Sequence, residues 1–98
     1  MLLPRFPSVV VWGAGPVGKS FARELRAQGS EVAAFVDVDP RKIGQTVHGV
    51  PVVPRAALDD YRDAFAVAAV GSPAARADIR AWLAAGGWTE GADFCAVA

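Results

Sequence analysis

One cysteine and one histidine occur among the 98 residues, and neither sign of charge predominates, with 10 Lys and Arg against 10 Asp and Glu. A single cysteine excludes an internal disulfide, and Cys95, set in the apolar run Phe94-Cys95-Ala96-Val97, reads as a packing residue. His48 has no second His, Cys or clustered carboxylate near it in the chain, so no metal site is expected and it reads as a loop residue. With no basic surplus and no interleaving of aromatic and basic residues, the electrostatic footprint of a nucleic-acid binder is missing, and direct contact with DNA or RNA is not expected. No apolar stretch approaches the ~20 residues of a membrane span, and Met1 to Pro7 is too short and too broken by proline for a signal peptide. The expectation is a cytoplasmic protein without a membrane partner. Residues 1–98 have room for one domain and none for a separate substrate-binding domain.

What the chain does have is 53% hydrophobic content, gathered into short runs, and a glycine motif where the first run stops. Val9-Val10-Val11-Trp12 leads into Gly13-Ala14-Gly15-Pro16-Val17-Gly18, a G-x-G-x-x-G, and Val17, Phe21 and Leu25 then recur at four-residue spacing. Each glycine has its own task. Gly13 turns the chain out of the strand, Gly15 leaves bare backbone for a pyrophosphate, and Gly18 lets the helix lie close to the sheet. The N–H groups of the first helical turn and the positive end of the helix dipole favour an anion there, and Pro16 at the first helical position sacrifices no hydrogen bond. Asp37 follows Gly18 by 19 residues, at the end of a second strand-like run, where a carboxylate accepts hydrogen bonds from an adenosine ribose.

Along the chain, strands are expected at Ser8 to Trp12, Glu31 to Val38, Pro51 to Pro54, Ala64 to Val70 and Phe94 to Val97. Helices are expected at Pro16 to Gln28 and Ala74 to Ala85, with one or two helical turns at Arg55 to Arg62. Leu2 to Pro7 reads as an irregular lead-in. Asp39 is placed to cap a turn over Pro40 to Ile43, and Asp59-Asp60 read as solvated, since adjacent helical residues diverge. This alternation calls for an α/β fold, a three-layer, Rossmann-like, doubly wound parallel sheet of about five strands. The expected order, counting strands along the chain, is 3-2-1-4-5. The winding then reverses between the first and fourth strands, beside the glycine loop and Gly71-Ser72-Pro73.

Three further segments carry a likeness: Phe35-Val36-Asp37-Val38-Asp39-Pro40-Arg41-Lys42-Ile43-Gly44, His48-Gly49-Val50-Pro51-Val52, and Val70-Gly71-Ser72-Pro73-Ala74. Together with the glycine loop they resemble the Rossmann-type domain of Rex redox-sensing repressors. They are also similar to small domains in polysaccharide-biosynthesis acetyltransferases, in nucleotide-sugar dehydratases and in CoA-binding proteins. The resemblance extends over about residues 8 to 85. It implies that Gly13 to Gly18 carry a pyrophosphate, Asp37 the adenosine ribose, and Gly71, Ser72 and Pro73 the far half of the ligand, with Val38 and Arg41 also among the cofactor-binding residues. The winged helix of Rex repressors and the catalytic parts of the other relatives have no counterpart in these 98 residues.

The expected function is therefore a nucleotide-binding module for NAD(H), acting as a sensor or as a subunit that needs a partner, either a second copy or another protein. The alternatives are a fragment of an NAD(P)-dependent oxidoreductase, or a domain for a nucleotide-sugar or CoA linked to surface-polysaccharide synthesis. No catalytic residue is expected: Ser72 lacks an evident base, and His48 and Tyr61 fall away from the expected nicotinamide end. Asp37 argues for NAD(H) over NADP(H), whereas Arg41 and Lys42 are the residues through which a 2′-phosphate would be read.

Overall fold

The computed structural model describes residues 8–97; the lead-in expected at Leu2 to Pro7 lies outside them. Apolar residues in β1 (Ser8–Trp12) are buried on both faces, as a central parallel strand requires. Val9 and Val11 face one layer of the core, Val10 and Trp12 the other. Helix α1 (Pro16–Ala27) follows and buries Gly18, Ala22 and Leu25, a stripe at helical spacing. It ends where Ser30 N–H donates back to the Leu25 carbonyl. Strand β2 (Glu31–Val36) then pairs parallel to β1.

The crossover from β2 to the next parallel strand is a compact turn and hairpin. Asp39 organises the turn as expected, since Arg41 N–H donates to its carboxylate at 2.9 Å and Lys42 N–H to its carbonyl at 3.0 Å. Thr46–Val47 (β3) and Val50–Val53 (β4) form an antiparallel pair around the two-residue loop His48-Gly49, both with positive φ (51° and 78°). Such a loop matches the strand twist, and glycine at its second place takes this conformation without steric cost. A 3-10 helix at Arg55–Tyr61, anchored by buried Leu58, leads to β5 (Phe65–Ala69), α2 (Pro73–Ala85) and β6 (Phe94–Val97).

The sheet order is β3-β4-β2-β1-β5-β6, and every pairing except β3 with β4 is parallel. This is the expected order 3-2-1-4-5 with one short strand added at the edge. The addition comes from the segment before Val50, which pairs back on β4 through the hairpin. Strand β2 stops at Val36 and not at Val38, because after Asp37 N–H has donated to the Val53 carbonyl of the neighbouring strand, the Asp37 carboxylate accepts Asp39 N–H and turns the chain. The core has two parts, one under α1 centred on Phe35 and Val11, and one under α2 centred on Val10, Leu83 and Phe94. Beyond the end of α2, the Arg62 guanidinium lies 4.8 Å from the centre of the Trp88 ring and donates to the Gly86 carbonyl.

The tightest contact is between the two ends of the glycine loop. A Cβ on Gly18 would stand 1.6 Å from the Gly13 carbonyl oxygen, and one on Gly13, where φ is 119°, 2.6 Å from the Ala69 carbonyl. Both obstacles are backbone, which cannot step aside. Gly18→Ala is therefore expected to lower unfolding free energy by about 3 kcal/mol, as overpacking against fixed atoms does. Gly15→Ala should change it by only about 1 kcal/mol, the scale of a helix N-cap exchange. Denaturant unfolding of the two variants measures both.

Candidate functional site

The carboxyl ends of β1, β2 and β5 converge where the winding of the sheet reverses, the place at which open α/β sheets hold ligands. Gly13 and Gly18 are required by the fold itself. Gly15 is not. Its φ of −85° suits any residue, and a Cβ there would meet only the Lys42 ammonium, at 3.9 Å. Gly15 is the N-cap of α1, so no side chain caps that helix; its first turn has no acidic residue, and Pro16 opens it. Backbone donors, open space and the positive end of a 12-residue helix thus coincide at one point. Val17, in the first turn of the helix, is 38% exposed.

Asp37 stands opposite. One carboxylate oxygen accepts from Ala14 N–H at 3.0 Å, and the other from Asp39 N–H at 2.9 Å. The residue therefore clasps the glycine loop to the turn after β2. Each oxygen still has a lone pair to offer. Lys42 Nζ approaches Asp37 Oδ2 to 3.9 Å, so its charge stands between Asp37 and the space over Gly15. Arg41 turns elsewhere. Its guanidinium pairs with Asp39 at 3.1 Å while remaining exposed; that pairing, followed by the Arg41 N–H, holds the Asp39 carboxyl below its ordinary pKa, and the same pairing raises that of Arg41. Of the two basic residues weighed from the sequence, Lys42 is the one beside the glycine loop.

The second loop, Gly71-Ser72-Pro73, starts α2. Ser72 Oγ caps the helix by accepting from Ala75 N–H at 3.3 Å, and Arg76 donates to the Val70 carbonyl at 3.0 Å, steadying the turn from behind. Among the described residues, nothing comes within 4 Å of where a Cβ on Gly71 would stand.

A cavity of about 570 Å³ opens on the α2 side of the sheet, between the turn after β2 and α2. Of the residues singled out from the sequence, Gly13, Asp37 and Val38 line it; Ala14 to Gly18, Arg41 and Gly71 to Pro73 do not. Its remaining walls include Trp12, Ile43, Arg55, Asp78 and Trp82, none of which sequence reasoning assigned to the site. The Trp82 signal was present as helical spacing with Ala75 and Ile79, but spacing alone does not distinguish a stripe that fills a core from one that walls a cavity. His48 sits in the β3–β4 hairpin loop and does not line the cavity.

A family model described as CoA binding domain matches residues 7–88. The chain belongs to that family. Among curated proteins none matches the sequence. Solved structures do. UDP-D-quinovosamine 4-dehydrogenase from Vibrio fischeri superposes with a TM-score of 0.67 at 26% identity, covering 80% of this chain and 70% of that one. RSP, a Rex-family repressor, gives 0.69 at 17% identity over 92% of this chain and 52% of its own. RSP in complex with β-NADH gives 0.66 at 16% identity over 93% and 53%. This CoA-binding-family chain thus spans about half of the repressor chains, and at such identity the likeness to them is one of fold.

Neither candidate nucleophile of this CoA-binding-family domain is set up for attack. Ser72 Oγ is engaged as a helix cap, and burial, followed by the charge of Glu90, pushes the Cys95 thiol above its ordinary pKa. The thiolate is the reactive form, so a raised pKa leaves less of it at neutral pH. Alkylation of Cys95 by iodoacetamide at pH 7.5 is expected to run at least about fivefold slower than that of the unfolded chain. Mass spectrometry of timed aliquots with and without denaturant measures the ratio.

Proposed function

We propose that this chain is a nucleotide-binding module whose ligand is NAD(H), and that it acts as a sensor or as a subunit needing a partner, without turnover of its own. The observation that carries the reading is Gly15: the fold has no need of a glycine there, and the open space stands over an uncapped helix N-terminus beside Lys42. A pyrophosphate fits that point, with Lys42 supplying charge and the first-turn N–H groups supplying donors. The remaining lone pairs of Asp37 suit ribose hydroxyls, and a dinucleotide continues from there toward Gly71, Ser72 and Pro73. The fold shared with the NADH-bound repressor supports the same choice.

CoA is the second reading, favoured by the family match. It shares the adenosine and pyrophosphate of NAD(H) but carries a 3′-phosphate and has a pantetheine arm in place of the nicotinamide riboside; Lys42, 3.9 Å from Asp37, is the cation at hand for that phosphate. A nucleotide-sugar is a third possibility in view of the Vibrio fischeri dehydrogenase. Isothermal titration with NADH, CoA and a UDP-sugar, with native mass spectrometry of protein purified without added ligand, separates them. The reading predicts NADH as the tightest of the three.

Two variants test the assignment of residues. Gly15→Leu should fold, because its side chain enters open space, yet lose at least about a hundredfold in NADH affinity by filling the pyrophosphate position. Unchanged affinity in the folded variant removes the glycine loop from the site. For the ribose, the unmodified chain should prefer NADH to NADPH, since like charges at contact in a partly exposed site repel by a few kcal/mol at most, on the order of 332/(20r). Asp37→Ser should narrow that preference while weakening both ligands, because it also releases Ala14 N–H and Asp39 N–H. Tighter NADPH binding by the unmodified chain would transfer the ribose end to Lys42.

A further inference from the structure

Most cations of this chain have a partner within it. Arg41 is paired with Asp39, Lys42 with Asp37, Arg62 with Asp59 and Arg80 with Glu90. Arg76 donates to the Val70 carbonyl, and the Arg55 guanidinium lies 5.5 Å from the centre of the Trp82 ring. Among the described residues that leaves Lys19, Arg23 and Arg26, and all three belong to α1. Spacings of four and three put them on one stripe, about 10 Å long at 1.5 Å per residue. Arg23 and Arg26 are exposed and Lys19 is half-buried. Like charges at this spacing disfavour a helix, and Glu24 does not relieve them, because adjacent helical residues face different ways. The chain thus carries a locally unfavourable stripe that it does not itself neutralise.

The matching anions are on the other face of the sheet. Leu58 and Ala64 pack into the core under α2, and between them in sequence stand Asp59, Asp60 and Asp63, all exposed. Asp60 and Asp63 have no hydrogen bond or ion pair among the described residues, and Asp59, 3.7 Å from Arg62, remains 85% exposed. Three positions separate Asp60 from Asp63, as three separate Arg23 from Arg26, so the two sets share a spacing. Helix α1 packs on the opposite layer of the core through Ala22 and Leu25. The sheet therefore stands between the cations and the anions, and one chain cannot bring them together. A second copy can, and with a formal net charge of zero two copies do not repel one another as wholes.

We propose that the Lys19-Arg23-Arg26 stripe of α1 is an interaction surface for a second copy of this chain, which meets it with Asp59, Asp60 and Asp63. Guanidinium groups suit the task, since their paired donors match the two oxygens of a carboxylate. The contact joins two different patches, so it runs head to tail, and an assembly that does not close into a ring keeps one free patch at each end. It names the partner that the proposed function leaves open and does not depend on which nucleotide is bound. Exposed pairs each contribute little, so the contact is transient and its mark is a dependence on salt.

Sedimentation velocity of the unmodified chain in about 10 mM salt, where charges act over ~30 Å, should show a mass that rises with protein concentration to at least about 1.5-fold that of the monomer. In about 1 M salt, where ~3 Å remains, it should be monomeric. Arg23→Glu with Arg26→Glu, and separately Asp60→Lys with Asp63→Lys, should each be monomeric at both salt concentrations. Both variants should still unfold cooperatively, within about 5 °C of the unmodified chain, the scale of an altered charge at a helix end. An equimolar mixture of the two should associate again, because the reversed α1 of one meets the reversed acidic patch of the other while the two native patches also meet. A monomeric unmodified chain at low salt, a reversed variant that associates on its own, or a mixture that stays monomeric would each overturn the contact. Failure of NADH to bind any of these proteins would strike the nucleotide reading and not this one, which is read from mass alone.

Discussion

Backbone against backbone, at the start of α1, is the constraint on which this structure depends. Gly18 lies so close to Gly13 that no side chain can be introduced, and Gly13 is in turn pressed against the Ala69 carbonyl at the end of β5. That contact fixes where α1 begins relative to β1 and β5, and so brings the helix N-terminus over the reversal point of the sheet. Burial of Ala22 and Leu25 under the same helix then follows from its helical period. A bulkier residue at either glycine would lift the helix and open the core beneath it.

Asp37 is the second fixed point, and it belongs to the fold and the site at once. Its two backbone hydrogen bonds join the glycine loop to the turn that carries Asp39, Arg41 and Lys42. The position of Lys42 beside Gly15 is a consequence of that turn. A carboxylate in this place thus fixes the glycine loop and the turn relative to one another, through Ala14 on one side and Asp39 on the other. Exposed pairs such as Arg41 with Asp39 contribute little to stability; what this pair does is keep Arg41 away from the loop.

The cavity on the α2 side shows how one sheet serves two purposes. Trp12 follows the alternation of β1 and points into the same layer as Val10, yet it is the last residue before the glycine loop, so its ring is both core and wall. Trp82 plays the corresponding part on α2, partly buried against the core and open to the cavity. The side chains that close the hydrophobic layer therefore also set the shape of the space next to the glycine loop.

Periodicity and glycine placement determined the α/β class, the succession of the five main strands along the chain and the place of the glycine loop, because these rest on local signals: β-branched runs, four-residue spacing, and glycines where backbone must come close. The position of Asp37 at the end of β2 was legible for the same reason. Tertiary structure alone decided that Lys42 and not Arg41 stands over Gly15, that Asp37 is already engaged by Ala14 and Asp39, and that Asp78, Arg55 and Trp82 wall the cavity with Trp12. Apart from the local bond of Asp37 with Asp39, those are relations between residues more than 20 positions apart, or between neighbours whose turn sends them opposite ways. No pattern along the chain encodes them, since they depend on how α2 and the crossover after β2 pack on the sheet.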